Sequence, residues 1–239
     1  MIRGWAARYR GILAEFGYSA AQDRLSAKEL DGIIGRPVPL GRIAGILRGK
    51  TVLVVGAGPS LHRALKVIPG LDLPIIASDG ALRGLLDEGI MPDIITTDLD
   101  GDTKSLLRAG RSRIMIVHAH GDNIERLPMV RSFGNVLGTT QGRELGRLYN
   151  FGGFTDGDRA VFLAEALGAR KIVLAGMDLG SRIGSLSDTR PADRATKIKK
   201  LKRARVLLEW LAGWSRATLY TTSGYIRGFE RVRLPGLAP

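Results

Sequence analysis

The sequence predicts an α/β fold, a mostly parallel sheet with helices on both faces, preceded by an N-terminal helical extension. Three observations carry this reading. From Lys50 onward, short apolar runs alternate with helical stretches, the rhythm of strand–helix–strand units. Several of those runs are apolar throughout instead of alternating, as strands covered on both faces are. Most of them are followed at once by small and polar residues, at the place where open α/β sheets bind ligands.

The elements follow in chain order. Residues 1–48 read as the helical extension. Ile12, Leu13 and Phe16 lie at helical spacing with Gly17 as a stop, and Ser26-Ala27-Lys28-Glu29 fits a capping box ahead of Leu30, Ile33 and Ile34. Pro37 and Pro39 close the region. The domain over 49–239 then opens with the strand TVLVVG (51–56). Further strands are expected at PIIASD (74–79), DIITTD (93–98), RIMIVHAH (113–120), NVLGTT (135–140) and KIVLAG (171–176). Helices fit between most of them, notably ALRGLLDEG (81–89) and DRAVFLAEALG (158–168), and ATLYTTSGYIRGF reads as a last strand and loop. The whole is a Rossmann-like arrangement, with ligands expected beyond the carboxyl ends of the strands.

Composition narrows the function classes. No run approaches about 18 uninterrupted apolar residues, so no membrane span is expected. The basic N-terminus lacks an apolar core and a small-residue cleavage site, so no secretory signal is expected and the reading is cytoplasmic. Zero cysteines exclude disulfides, thiolate metal sites and cysteine nucleophiles. The net charge of +13 suits nucleic acid, acidic lipid or phosphorylated substrates, and equally a solvated basic surface. With aromatics at 6% and no zinc-finger spacing, charge alone does not make a nucleic-acid binder. The sequence leaves the oligomeric state open, a homo-oligomer included.

The sharpest motif is Asp98-Leu99-Asp100-Gly101-Asp102. On an extended strand end, residues 98 and 100 share a face, and two carboxylates so close repel unless a cation lies between them or one is protonated. Oxygen ligands of this kind suit Mg²⁺ shared with substrate phosphates. Gly101 lets the chain turn and could bring Asp102 round as a further ligand. Asp79, in Ser78-Asp79-Gly80, ends the neighbouring strand in a similar way. It could be another metal ligand, an acceptor for a nucleotide hydroxyl or a helix cap.

Gly56-Ala57-Gly58-Pro59-Ser60 is a glycine-rich strand-to-helix turn, able to bring backbone N–H groups to an anion, with Ser60 as cap or phosphate donor. It is neither a Walker A loop nor a full dinucleotide fingerprint. His118 and His120 share a face. Without an evident third ligand they read as pocket-lining donors, to phosphate for instance, ahead of a transition-metal site. Thr155-Asp156-Gly157-Asp158 opens a helix with Thr155 and Asp158 at capping-box spacing, and reads as a structural cap or as a ligand contact, while Asp178, after an apolar strand, could hold the polar edge of a heterocycle. On the basic helix over 193–214, Ile198, Leu201, Ala204, Leu208 and Leu211 form an apolar stripe. Lys197 lies inside that stripe and Lys200 at its margin, so both are expected to reach a polyphosphate.

Taken together, VVGAGPSL, ASDGAL, GIMPDIITTDLDGD, HAHGDN, FTDGDRAVFLAEALGARKIVLAGMDLG and the Lys-rich helix resemble the archaeal 6-hydroxymethyl-7,8-dihydropterin pyrophosphokinase family, from about Lys50 to about Phe229. The stretch DGALRGLLDEGIMPDIITTDLD is also similar to thiamin pyrophosphokinases, and the Gly-Ala-Gly-Pro-Ser-Leu turn to motility accessory proteins. The resemblance implies ATP- and Mg²⁺-dependent transfer of diphosphate to a pterin hydroxymethyl group, releasing AMP, in tetrahydromethanopterin or folate-type biosynthesis. Asp98, Asp100 and Lys197 would then be catalytic, with Asp102 a candidate acceptor for the hydroxyl proton. A thiamin pyrophosphokinase, or a non-catalytic nucleotide or nucleic-acid binding protein, are the alternatives. Residues 1–48 carry little of the resemblance.

Overall fold

A computed structural model describes residues 2–187 and 189–234. Among the described residues eight strands form one sheet: β1 (Thr51–Val55), β2 (Ile75–Ser78), β3 (Ile94–Thr97), β4 (Ile114–Ala119), β5 (Asn135–Thr140), β6 (Lys171–Ala175), β7 (Thr218–Thr221) and β8 (Glu230–Arg231). Their order is β5-β4-β3-β2-β1-β6-β7-β8, and every pairing is parallel. The expected α/β class is therefore observed. From β1 the chain steps outward to β5, then returns to lay β6 on the other flank of β1. That reversal opens a crevice beyond the carboxyl ends of β1 and β6, the position where such sheets bind ligands.

The central strands are apolar on both sides because both sides are covered. Val52 and Val54 of β1 face one core with α7 (Asp156–Ala166) and α8 (Arg194–Ala212), while Leu53 and Val55 face another with α4 (Leu61–Leu65) and α5 (Asp79–Asp87). A third core joins Ile95, Met115 and Val117 to α6 (Thr103–Gly110). Each fully buried Leu or Ile side chain contributes about 1.5–3 kcal/mol, so continuous apolar strands are what this layering demands. Among the described residues no helix is long and apolar enough to cross a membrane.

The N-terminal residues form α1 (Trp5–Phe16), α2 (Ala20–Ile33) and α3 (Leu40–Leu47), all packed on the same sheet. Gly17 ends α1 in the left-handed conformation, its N–H donating to the Leu13 carbonyl. The expected capping box at Ser26 is not what starts α2. Ser19 is the cap, accepting from the Gln22 N–H, and Ser26 lies mid-helix and fully buried. Trp5, also fully buried, donates its indole N–H to the Gln141 carbonyl at 2.8 Å and stacks on Trp210.

Candidate active site

A cavity of about 310 Å³ occupies the crevice. Its walls are the turn at Gly56, Ala57 and Gly58, the segment Gly176-Met177-Asp178, and α8 with Lys197, Lys200 and Leu201. Asp79, Asp98, Asp100 and Asp156 also line it. Pro59, Ser60, Asp102, His118 and His120 lie outside its wall.

The four carboxylates offer one oxygen each, all within 4.8 Å of one another. Asp79 and Asp156 are the first residues of α5 and α7, where unpaired helix N–H groups favour negative charge. Asp98 and Asp100 arrive differently from the expectation. β3 ends at Thr97, and Leu99 adopts a left-handed conformation with φ 71°, so the two carboxylates are brought together by a turn and not by strand alternation. Thr97 Oγ1 holds that turn by accepting the Leu99 N–H at 2.8 Å, and it donates to Asp79 Oδ2 at 3.0 Å. Leu99 is itself buried, which offsets the cost of about 1–2 kcal/mol for its backbone.

Crowding polarises the cluster. Burial, followed by repulsion from Asp98 and Asp79, pushes the Asp100 carboxyl up to about 8. Burial and neighbouring carboxylates likewise raise Asp79 and Asp156. Burial opposes ionisation of Asp98 too, but the hydrogen bond and charge of His120, with Arg159 beyond, outweigh it and hold that carboxyl well below the usual range. His120 Nε2 lies 3.3 Å from Asp98 Oδ2, and its Nδ1 is 3.3 Å from the Asp122 backbone nitrogen. Arg159, one turn along α7, pairs with Asp156 at 3.2 Å. Several carboxyls held above their ordinary range by burial and by one another form a site that a hard divalent cation would relieve.

Several sequence-predicted residues take other positions. Asp102 is outside the cluster and caps α6, accepting from Ser105 N at 2.9 Å and Ser105 Oγ at 2.7 Å. It is therefore neither a cluster ligand nor placed to take a proton from a substrate in the cavity. His118 is buried, with Nδ1 3.1 Å from Thr139 Oγ1; burial holds its pKa well below the usual imidazole value, and it does not line the cavity. His120 addresses Asp98 instead of lining the cavity. Ser60 does not cap α4 with its side chain. Its N–H and Oγ both donate to Asp178 Oδ2, each at 2.9 Å.

The glycine-rich turn thus grips a carboxylate of its own chain. A Cβ on Gly58 would lie 2.6 Å from the Gly176 carbonyl and collide with Asp178 Oδ2, so only glycine allows this approach. On α8, Leu207 joins Ala204, Leu208 and Leu211 in the core, while Ile198 and Leu201 are half-buried. Lys197 and Lys200 both reach the cavity, and the charge of Lys197 opposes the upward shifts of Asp79 and Asp100. Lys199 and Arg203 turn away to Glu15 of α1.

Asp156 and Arg159 were missed as site residues. A signal existed: Thr155-Asp156-Gly157 repeats the hydroxyl–Asp–Gly pattern of Ser78-Asp79-Gly80, and both start a helix at a strand end or beneath it. The expected capping box of Thr155 with Asp158 is present, so the cap and the cluster residue sit side by side.

With this geometry in hand, the comparisons with known proteins are specific. The chain is 47% identical over 223 residues to the 6-hydroxymethyl-7,8-dihydropterin pyrophosphokinase of Pyrococcus furiosus, covering 90% of this chain and 96% of that protein. It is 44% identical to the enzyme of the same name from Methanothermobacter thermautotrophicus over 88% of this chain and 94% of the relative. For the Methanocaldococcus jannaschii enzyme of that name the identity is 38%, over 88% and 95%. Among solved structures, the MAf glycosyltransferase of Magnetospirillum magneticum AMB-1 shares the fold, with a TM-score of 0.58 at 18% identity, covering 91% of this chain and 39% of that one. The profile of the MptE-like 6-hydroxymethylpterin diphosphokinases matches residues 34–184, and the chain belongs to that family.

Proposed function

We propose that this chain transfers a diphosphoryl group from ATP to the hydroxymethyl group of 6-hydroxymethyl-7,8-dihydropterin and releases AMP. One observation carries the reading beyond the family name: four carboxylates within 4.8 Å of one another share a cavity with two lysines. That pairing of hard anionic ligands with ammonium groups fits a metal-bound polyphosphate, and it fits little else.

Asp98 and Asp100, with Asp79 and Asp156, would hold Mg²⁺, which when bound supplies charge neutralisation at the phosphate oxygens. The remaining work falls to the chain's own residues. Lys197 and Lys200 face the same space and would hold phosphate oxygens as charge shifts onto the leaving AMP. The pterin hydroxyl oxygen bonds to the β-phosphorus as the bond to the α–β bridging oxygen breaks, and the hydroxyl proton is released. Catalysis of this type is mostly positioning and electrostatics. Asp178, with Oδ2 occupied by Ser60, lines the far wall and would meet a heterocycle edge.

Incubation with ATP, Mg²⁺ and either the hydroxymethyl pterin or thiamin, with the nucleotides resolved, tests the proposal. AMP that appears only with the pterin is the expected result. ADP as product, or AMP that appears with thiamin instead, would overturn it.

A further inference from the structure

We propose that the helical hairpin α1–α2 is a positioning element of the active site, acting on Asp98 through the turn over residues 120–123. The inference rests on the reading of Asp98 as a metal-binding carboxylate.

Asn123 is the centre of the route. It is buried, and its side-chain amide uses its full hydrogen-bonding capacity. Nδ2 donates to the Asp98 carbonyl at 2.8 Å and to the His118 carbonyl at 2.7 Å. Oδ1 accepts the His120 N–H at 3.1 Å and the Ser26 hydroxyl at 3.0 Å. One side chain therefore ties the end of β3 and the end of β4 to the middle of α2. Beside it, Asp23 of α2 accepts the Gly121 N–H at 2.9 Å through Oδ1. Its Oδ2 takes the Tyr9 hydroxyl at 2.6 Å and Gln141 Nε2 at 2.9 Å. The helix rests directly on the turn, since a Cβ on Gly121 would lie 2.7 Å from the Gln22 Cβ.

The turn in turn fixes Asp98 at two points. Asn123 holds its backbone carbonyl, and His120 Nε2, 3.3 Å away, addresses its carboxylate. The anchors of that turn, Asp23 and Ser26, both lie outside residues 34–184 that define the family match. Removing an outer group that orients a metal-binding side chain typically costs about 10–100-fold in metal affinity or activity. Ser26 is one step further out than Asn123, so a smaller loss is expected from it.

The experiment is Mn²⁺ titration of the full chain, reading the free ion by electron paramagnetic resonance, with thermal midpoints measured in parallel. Ser26→Ala is expected to weaken Mn²⁺ binding by about 3–10-fold. Ser26→Thr, which keeps the hydroxyl, is expected to return it to within about twofold of the parent. Asp23→Asn disturbs the parallel anchor and should move the affinity in the same direction, which keeps the test decisive if Ser26→Ala folds poorly. A lowered midpoint with unchanged Mn²⁺ affinity in both Ser26→Ala and Asp23→Asn would reduce the hairpin to packing and overturn the inference. If the parent and Asp98→Asn bind Mn²⁺ equally, the metal reading of Asp98 fails instead, and the inference falls with it.

Discussion

Beyond β3 the chain runs Asp98-Leu99 with Leu99 at φ 71°, and beyond β6 it runs Asp178-Leu179 with Leu179 at φ 48°. Both leucines are buried and both aspartates line the same cavity. The local device is the same: an apolar side chain anchors a left-handed residue so that the carboxylate before it stays at the strand end. The surroundings differ. Asp98 has three other carboxylates within reach and one histidine donating to it, whereas Asp178 has one oxygen occupied by the N–H and hydroxyl of Ser60. A left-handed leucine therefore follows a member of a four-carboxylate cluster beyond β3 and a fixed hydrogen-bond acceptor beyond β6. Chemistry here is assigned by what packs beside the turn, not by the turn.

Substitution at the two aspartates should separate those roles. Asp98→Asn is expected to lower kcat by about 10²–10³-fold and weaken Mn²⁺ binding while the far-ultraviolet circular dichroism stays unchanged. Near-normal turnover would contradict the assignment. Asp178→Ala should raise KM for one of the two organic substrates by about tenfold and leave Mn²⁺ affinity alone. If Asp178→Ala instead abolished metal binding, the two strand ends would form one site and the contrast would dissolve.

The smallest effect concerns pH. Asp100 is held up at about 8 in the folded protein, against about 3.9 in an unfolded chain. Between those values the folded state keeps a proton that the unfolded state has lost, so stability of the metal-free protein falls as pH rises from about 4 to about 8. Asp100→Asn removes this group's share of that dependence and leaves those of Asp79 and Asp156. Because the Asp100 residue as a whole is exposed, although its carboxyl group is crowded among the other carboxylates, solvent screens it, and the gain at pH 8 is expected to be only about 2–4 °C in thermal midpoint. Parallel pH profiles for parent and variant, measured by calorimetry with chelator present, would count against the electrostatic account.

Much of this was legible in the sequence where the determinants are local. The six strands β1 to β6 appear within a residue or two of the apolar runs, since a doubly covered strand needs continuous Val, Ile and Leu. Lys197 and Lys200 follow from helical spacing alone. The errors arise where partners are distant. Ser26 resembles a cap by its neighbours, but its hydroxyl bonds Asn123, 97 residues on. Asp156 joins the carboxylates only because α7 starts beneath the end of β3, with Thr96 Oγ1 donating to the Asp156 carbonyl at 2.9 Å. Asp102 is the opposite case. Its bond to Ser105 is local, and Asp-x-x-Ser was readable as a cap before its acidic neighbours drew it into the cluster.

The sheet order also bears on how this protein must be made. Ser60 and Asp178 are 118 residues apart, and β1 waits for β6 across that interval with one apolar edge unpaired. At synthesis rates of about 5–20 residues per second, the edge stands open for roughly 6–24 s on each ribosome. The first half of the chain is therefore a candidate client for a chaperone, and the ligand crevice is among the last features a nascent molecule acquires.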